Sequence, residues 1–361
     1  MRIVVAPDSF KGSIGARDAA AALAAGWQRA RPGDELVCLP LADGGEGTLE
    51  IVAAATPAAV AHRMTVTGPD GRPVAAGWLA LPDGGAVVEL ARSSGLPLMG
   101  HPDPLGASTA GLGEVIAGAL DDGARRVTIG LGGSASTDGG TGALAALGAR
   151  FLDAAGRQLR RGGGALHRLA AVDTSRLRPP PPGGVRCLAD VRAPLCGSRG
   201  AAAVFGPQKG AEPGQVELLE TGLRRLAALL GGDPDAPGSG AAGGAGYGFA
   251  AAWGASIVAG GPELCRIAGL RGTLAGADLV ITGEGCYDTT SAEGKVVGAV
   301  LEAAAEAGIR AVLVAGLITA ASPPPVAAAV ALCDLAGSAE AARSAPGHWL
   351  TVAGRVTALG A

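Results

Sequence analysis

Short, unbroken apolar runs that stop abruptly at polar, glycine-bearing turns set the pattern of this chain. Ile3–Ala6 is the first: four apolar residues, then Pro7, then Asp8, Ser9 and Lys11 crowded ahead of Gly12. A run without alternation is the mark of a strand buried on both faces of a parallel sheet. Ala16–Arg29 reads as a helix, Ala-rich with Leu23 and Trp27 on one face. Strand, polar turn, helix puts the turn at the carboxyl end of a sheet strand, where open α/β sheets bind ligands, and the helix N-terminus beside it favours an anion. Leu36–Leu39 starts a second round, running into Pro40-Leu-Ala-Asp-Gly-Gly-Glu-Gly-Thr48 and a helix over 48–55. A helix cap accounts for Glu46 or Thr48. It does not require Gly44, Gly45 and Gly47, which instead predict a tight turn that exposes Asp43.

The middle of the chain alternates differently. Met64–Leu81 predicts a hairpin about Pro69-Asp-Gly71, Ala86–Leu90 a strand, Ala107–Leu120 a helix and Arg126–Leu131 a buried strand. A loop over 132–138 then leads into a helix through Leu147, and Phe151–Leu159 reads as a second hairpin around Ala155-Gly156. Residues 173–184, with prolines at 179–182, read as an exposed connector. A strand over Val185–Val191, an amphipathic helix over Gln215–Leu230 and a glycine-rich loop over Gly231–Gly244 follow. Strand–helix alternation resumes with Ala277–Thr282, a helix near Gly294–Ala307 and a strand over Ala311–Ala315. The expected architecture is α/β: a Rossmann-like parallel-sheet domain built from both chain ends (residues 1–62 plus 262–361), with a second α/β domain over 63–261 inserted. The strand 126–131 fits either domain.

Composition narrows the chemistry. Only three of the 29 basic residues are lysines, Lys11, Lys209 and Lys295, and each stands beside a glycine. A compact ammonium next to backbone that permits close approach suits phosphate or carboxylate. A net charge of −3, with no basic cluster interleaved with aromatics, argues against a nucleic-acid partner. The stretches 236–262 and 311–333 are broken by glycine or proline, so no membrane span is expected. The N-terminus opens directly in a strand without a signal-peptide pattern, and the six cysteines show no metal spacing; both predict a cytoplasmic protein with reduced thiols.

The ordered motifs resemble the bacterial type I glycerate kinase family. They begin with Pro7-Asp-Ser-Phe-Lys-Gly-Ser13, Ala42-Asp-Gly-Gly-Glu-Gly-Thr48 and Val88-Glu-Leu-Ala91. Gly130-Leu-Gly-Gly-Ser-Ala135 with Asp138, Ala189-Asp-Val191 and Val204-Phe-Gly-Pro-Gln-Lys-Gly-Ala211 come next. Gly240-Ala-Ala-Gly-Gly244 and Asp278-Leu-Val-Ile-Thr-Gly-Glu-Gly285 with Asp288 and Gly294-Lys295 complete the set. The resemblance spans essentially the whole chain. It implies transfer of phosphate from ATP, with Mg²⁺, to glycerate in a cleft between two α/β domains, giving 2-phosphoglycerate, by a monomer or homodimer.

Carried onto this sequence, the resemblance implies Lys11, Asp190 and Asp288 as catalytic. Asp8, Ser9, Asp43 and Lys209 would bind the substrate, with Asp43 and Asp288 also at the metal. Gly132, Gly133, Ser134, Asp138, Gly283, Glu284 and Lys295 would bind the nucleotide. The chain departs from the family pattern at Cys286, Tyr287 and Thr290, where Arg, Ile and a Gln pair are usual, and at Thr137 and Ala193, where Asn is usual. A cysteine cannot replace a guanidinium at a phosphate. That leaves a sugar-acid binding protein, or a kinase of another hydroxy acid, as the alternative. A dinucleotide enzyme is a weaker one, since G-x-G-x-x-G is absent in register.

Overall fold

The computed structural model describes residues 1–289, 291, 295–320 and 325–361; Thr290 and Gly294 lie outside the described residues. Its strands are β1 (Arg2–Val5), β2 (Glu35–Cys38), β3 (Val60–Thr67), β4 (Pro73–Ala80), β5 (Gly85–Glu89), β6 (Arg126–Gly130) and β7 (Arg150–Leu152). They continue with β8 (Ala171–Asp173), β9 (Val185–Ala189), β10 (Ser256–Ala259), β11 (Leu279–Tyr287), β12 (Arg310–Ile318) and β13 (Ala328–Ala331). The chain divides into two compact units. One comprises Met1–Asp43, Glu50–Ala55 and Gly260–Ala361, the other Gly44–Leu49 and Thr56–Ala259.

The first unit is a parallel sheet in the order β13-β12-β11-β1-β2. Ile3, Val4 and Val5 are fully buried, and so are Leu279, Val280 and Ile281 opposite them. That is why neither run alternates: Ile3 and Val5 pack with Leu23, Trp27 and Leu350 on one face, Val4 and Val280 with Val296 and Val300 on the other. The helices Ala16–Ala30 and Pro346–Leu359 cross closely at small residues. A Cβ on Gly26 would lie 2.0 Å from the Thr351 carbonyl oxygen, and one on Gly354 would lie 2.1 Å from that of Leu23.

The second unit is a mixed sheet in the order β10-β9-β6-β5-β4-β3, antiparallel through β3, β4 and β5 and parallel from β5 onward. The strand at 126–130 therefore sits inside this sheet, between β5 and β9. The structure also moves the expected boundaries. Residues 56–62 go with the second unit because β3 starts at Val60 and pairs along β4, and Gly44–Leu49 goes there as well. The hairpin expected over 151–159 is short, a single antiparallel bridge between Leu152 and Gln158. Arg157 and Leu159 bond back to Asp153 and Phe151, but the ladder partner of β7 is β8, twenty residues on. The predicted loop Gly231–Gly244 ends in three residues with left-handed φ, Ala242, Gly243 and Gly244, ahead of the regular helix that runs to Trp253, and β11 and β12 each run several residues beyond their apolar cores.

Candidate functional site

In the first unit the chain leaves β1 toward β2 on one side, while β11 leads to β12 and β13 on the other. The switch point thus falls between β1 and β11, where a doubly wound sheet opens a crevice at its carboxyl edge. Both strands end there in motif residues. The turn after β1 is pinned to β11 by bonds from Ala6 N to Ile281 O (2.7 Å) and from Asp8 N to Gly283 O (2.9 Å). Gly283 itself is a packing residue, since a Cβ there would lie 1.9 Å from the Val314 carbonyl oxygen of β12.

A cavity of about 360 Å³ lies at this edge, lined by Asp8, Ser9, Lys11, Asp43, Glu284, Asp288 and Lys295. Seven of the expected site residues therefore line one cavity, among them residues expected to be catalytic, to bind the substrate and to bind the nucleotide. Lys11 Nζ donates to Asp43 Oδ2 at 2.8 Å, a largely exposed ammonium on a buried carboxylate. Burial pushes the Asp8 carboxyl well up, and the Asp43 charge adds to it; Lys11 and the Ser9 backbone N–H pull the other way. Burial likewise raises Glu284, opposed in part by a hydrogen bond from Ser291 and by the Lys295 and Lys11 charges. Glu284 Oε1 is buried without a hydrogen-bond partner among the described residues. Asp288 holds the turn through Ser291, whose hydroxyl accepts from Asp288 N at 3.0 Å, and lies 3.9 Å from Lys295 Nζ. Cys286 is exposed on the same cavity wall, with Sγ 4.0 Å from Thr319 Oγ1. Arg343, from the helix Ala339–Ser344, also lines the cavity. No motif marks it in the sequence.

The second unit gathers the remaining residues at the carboxyl edge of its sheet. Glu89, Gly130 and Leu188 stand side by side in register on β5, β6 and β9, so the loop after Gly130 and Asp190 leave from neighbouring strand ends. Gly44–Leu49 packs against that loop. Gly132 N donates to Gly44 O (3.1 Å), and a Cβ on Gly132 would lie 2.3 Å from Gly45 Cα. The glycines that pointed to an exposed turn are thus also needed for close backbone packing. Glu89, matched in the sequence without a role, caps the helix Thr48–Ala55. Its carboxylate accepts from Gly47 N (3.3 Å) and Leu49 N (3.1 Å), and burial raises its pKa to about 6.

Two expectations change here. Lys209, expected at the substrate, is buried, and its ammonium donates to Ser134 Oγ (2.9 Å) and Ser136 O (2.5 Å) of the glycine-rich loop. Asp138, expected to face the nucleotide, is fully buried. Its carboxylate accepts from Thr109 N and Oγ1, both at 2.9 Å, and from Gly140 N and Gly142 N. It shapes the loop and has no surface to offer a ligand. Gly132, Gly133 and Ser134 stay at least partly accessible. Asp190, expected to be catalytic, follows β9 in this unit.

A model of the "Glycerate kinase family" matches residues 3–359. The chain is 41% identical over 331 residues to a glycerate kinase of Bacillus subtilis strain 168, covering 88% of this chain and 86% of that protein. It is 43% identical over 305 residues to a glycerate 2-kinase of Escherichia coli K12, covering 82% and 80%. A crystal structure from Salmonella typhimurium LT2, of a protein assigned as glycerate kinase 2, superposes with a TM-score of 0.79 at 38% identity over 99% of this chain and 97% of that one. The chain belongs to the glycerate kinase family.

Proposed function

We propose that this protein transfers the γ-phosphoryl group of ATP to glycerate, forming 2-phosphoglycerate, as a type I member of the family acting in the cytoplasm. The observation that carries the reading is the first unit's cavity, where lysines and buried carboxylates meet at the switch point of a parallel sheet. Phosphoryl transfer asks little covalent chemistry of the protein. It needs the acceptor hydroxyl positioned, its proton taken, and the transferred charge neutralised. Lys11 and Lys295 supply cationic charge at the cavity. Asp8, raised by burial and by Asp43, is the carboxyl suited to take the hydroxyl proton near neutral pH. The accessible lip Gly132-Gly133-Ser134 of the second unit is our candidate for the nucleotide phosphates.

The carboxylates also suit Mg²⁺. Among the described residues no three metal-ligating side chains converge into a ready cation site. Mg²⁺, however, is commonly held by one or two carboxylates with phosphate oxygens and water. The unpartnered Glu284 Oε1 on β11 offers such a ligand, with Asp288 just past the end of the same strand, while Asp43 is already engaged by Lys11. A bound Mg²⁺ would neutralise charge on the transferred phosphoryl group.

Incubating the purified protein with MgATP and D-glycerate, and reading products by phosphorus NMR, tests the proposal. The expected result is ADP and one phosphomonoester on C2. The exposed Cys286, where a guanidinium is usual, favours a second reading in which another hydroxy acid is the acceptor. No ester from glycerate but one from a different hydroxy acid would establish that reading. Binding of glycerate without ATP turnover would overturn the kinase assignment.

A further inference from the structure

The buried lysine beneath the glycine-rich loop has a chemical consequence that its burial alone does not convey. An ammonium has donors and no acceptor. Because Lys209 Nζ lies 2.9 Å from Ser134 Oγ, that oxygen must accept, and the Ser134 proton is directed away from Lys209. The second bond, to Ser136 O, holds the loop backbone on the far side of Ala135. The charged group facing Lys209 is Asp138, on the same loop, and its carboxylate is engaged by the Thr109, Gly140 and Gly142 donors. From the other side the loop is braced by a strained segment. Ala242, Gly243 and Gly244 all have left-handed φ angles, of 53°, 64° and 90°. Gly139 N donates to Gly243 O at 3.0 Å, and a Cβ on Gly243 would lie 2.1 Å from Ser136 O. An alanine held in this conformation is a cost that persists only where the surroundings over-determine it.

We propose that Lys209 is a positioning residue that fixes Ser134 as a hydrogen-bond donor at the accessible lip Gly132–Ser134, so that the lip selects a ligand oxygen that can only accept. A phosphate of the nucleotide is such a ligand. The proposal rests on the assignment of this lip to ATP made above. Lys209 does not touch the ligand; it acts through the Ser134 hydroxyl and the Ser136 carbonyl.

Steady-state kinetics with MgATP and D-glycerate, alongside thermal melting, test it on Lys209→Met, Lys209→Arg and Ser134→Ala. Ser134→Ala loses the outward donor, so the KM for MgATP rises about tenfold, the scale of one hydrogen bond to a charged group, while the KM for glycerate holds. Lys209→Met fills the same space, keeps the fold, and raises the KM for MgATP by a similar factor; in the Ser134→Ala background it adds little, because both act through one hydroxyl. Lys209→Arg keeps a cationic donor and restores part of the affinity. The pH profile supplies a readout that a purely structural role would not move. Burial brings Lys209 down to about 8, and the neutral amine is able to accept from Ser134, turning its proton inward. The wild-type KM for MgATP therefore climbs above that pH, and in Lys209→Arg it stays flat. If Ser134→Ala leaves the KM for MgATP unchanged, the assignment of the lip to ATP fails. If Ser134→Ala weakens MgATP but Lys209→Met melts normally and does not, the positioning role alone is overturned.

Discussion

Lys11 and Asp43 act on Asp8 with opposite signs, which makes the reading of the first cavity testable residue by residue. The Lys11 charge lowers the Asp8 carboxyl and the Asp43 charge raises it. If Asp8 must be ionised to take the substrate proton, Lys11→Met should move the acid limb of the pH dependence of kcat/KM to higher pH. Asp43→Asn should move the same limb to lower pH. Lys11→Met should also cost well over tenfold in kcat/KM at the optimum, one charge-assisted contact in a partly dry site being worth about 1.5–3 kcal/mol. Limbs that stay put in both variants would remove Asp8 from proton transfer. Lys11 was legible in the sequence because lysine is rare here, so its type and neighbours carried information. Arg343 was not, since arginine is this chain's ordinary cation and its short helix bears no motif. Lys209 was visible as an exception, yet its direction was not: adjacency to glycine does not tell a lysine that faces a ligand from one that braces a loop beneath.

Among the elements, the helix Thr48–Ala55 and the crossing of the first and last helices show what periodicity conveys and what it leaves out. Both the helix over 48–55 and the buried strand ahead of Glu89 follow from apolar patterning, but the cap joining them is a contact between residues 40 positions apart. The Glu89 pKa of about 6 lies above the 4.5 of a free glutamate. The folded state therefore binds more protons than the unfolded state between those values. The contribution of Glu89 to stability is then fullest below about pH 4.5 and falls as pH rises through 6, by about 2 kcal/mol. Denaturation of Glu89→Gln across the same range should lack that fall; parallel curves for the two proteins would show that Glu89 does not titrate there. At the helix crossing, Gly26→Ala forces a methyl onto the Thr351 carbonyl and should cost about 1–3 kcal/mol as the helices separate. Gly272→Ala, in the helix Leu270–Leu274 with open space around it, should be neutral or stabilise by up to about 1 kcal/mol. The alanine-rich helices gave no hint of which glycine faces a neighbour, because that depends on a partner more than three hundred residues away.

On the scale of the whole chain, the pairing of β1 with β11 was legible because the N-terminal apolar runs need parallel partners and the C-terminal runs share their character. The unit boundary was not, for a local reason: Gly44–Leu49 follows Asp43 directly, yet its glycine backbone docks on the loop after Gly130. One motif thus supplies Asp43 to the first unit and a packing turn to the second. Under the proposed function, glycerate binds at the first unit's cavity and nucleotide phosphate at the second unit's lip. Ligands that bind only the folded protein stabilise it by about 2.7 kcal/mol at a hundredfold excess over Kd, and a two-unit chain need not melt in one step. In calorimetry, D-glycerate should raise the melting of the first unit and MgATP that of the second, each read against Lys11→Met and Ser134→Ala. Lys11→Met should cut the glycerate shift and retain the MgATP shift, and Ser134→Ala should lower the MgATP shift to about half while leaving the glycerate shift in place. A glycerate shift that survives Lys11→Met but disappears in Ser134→Ala would exchange the two assignments, and with them the placement of the acceptor hydroxyl near Asp8.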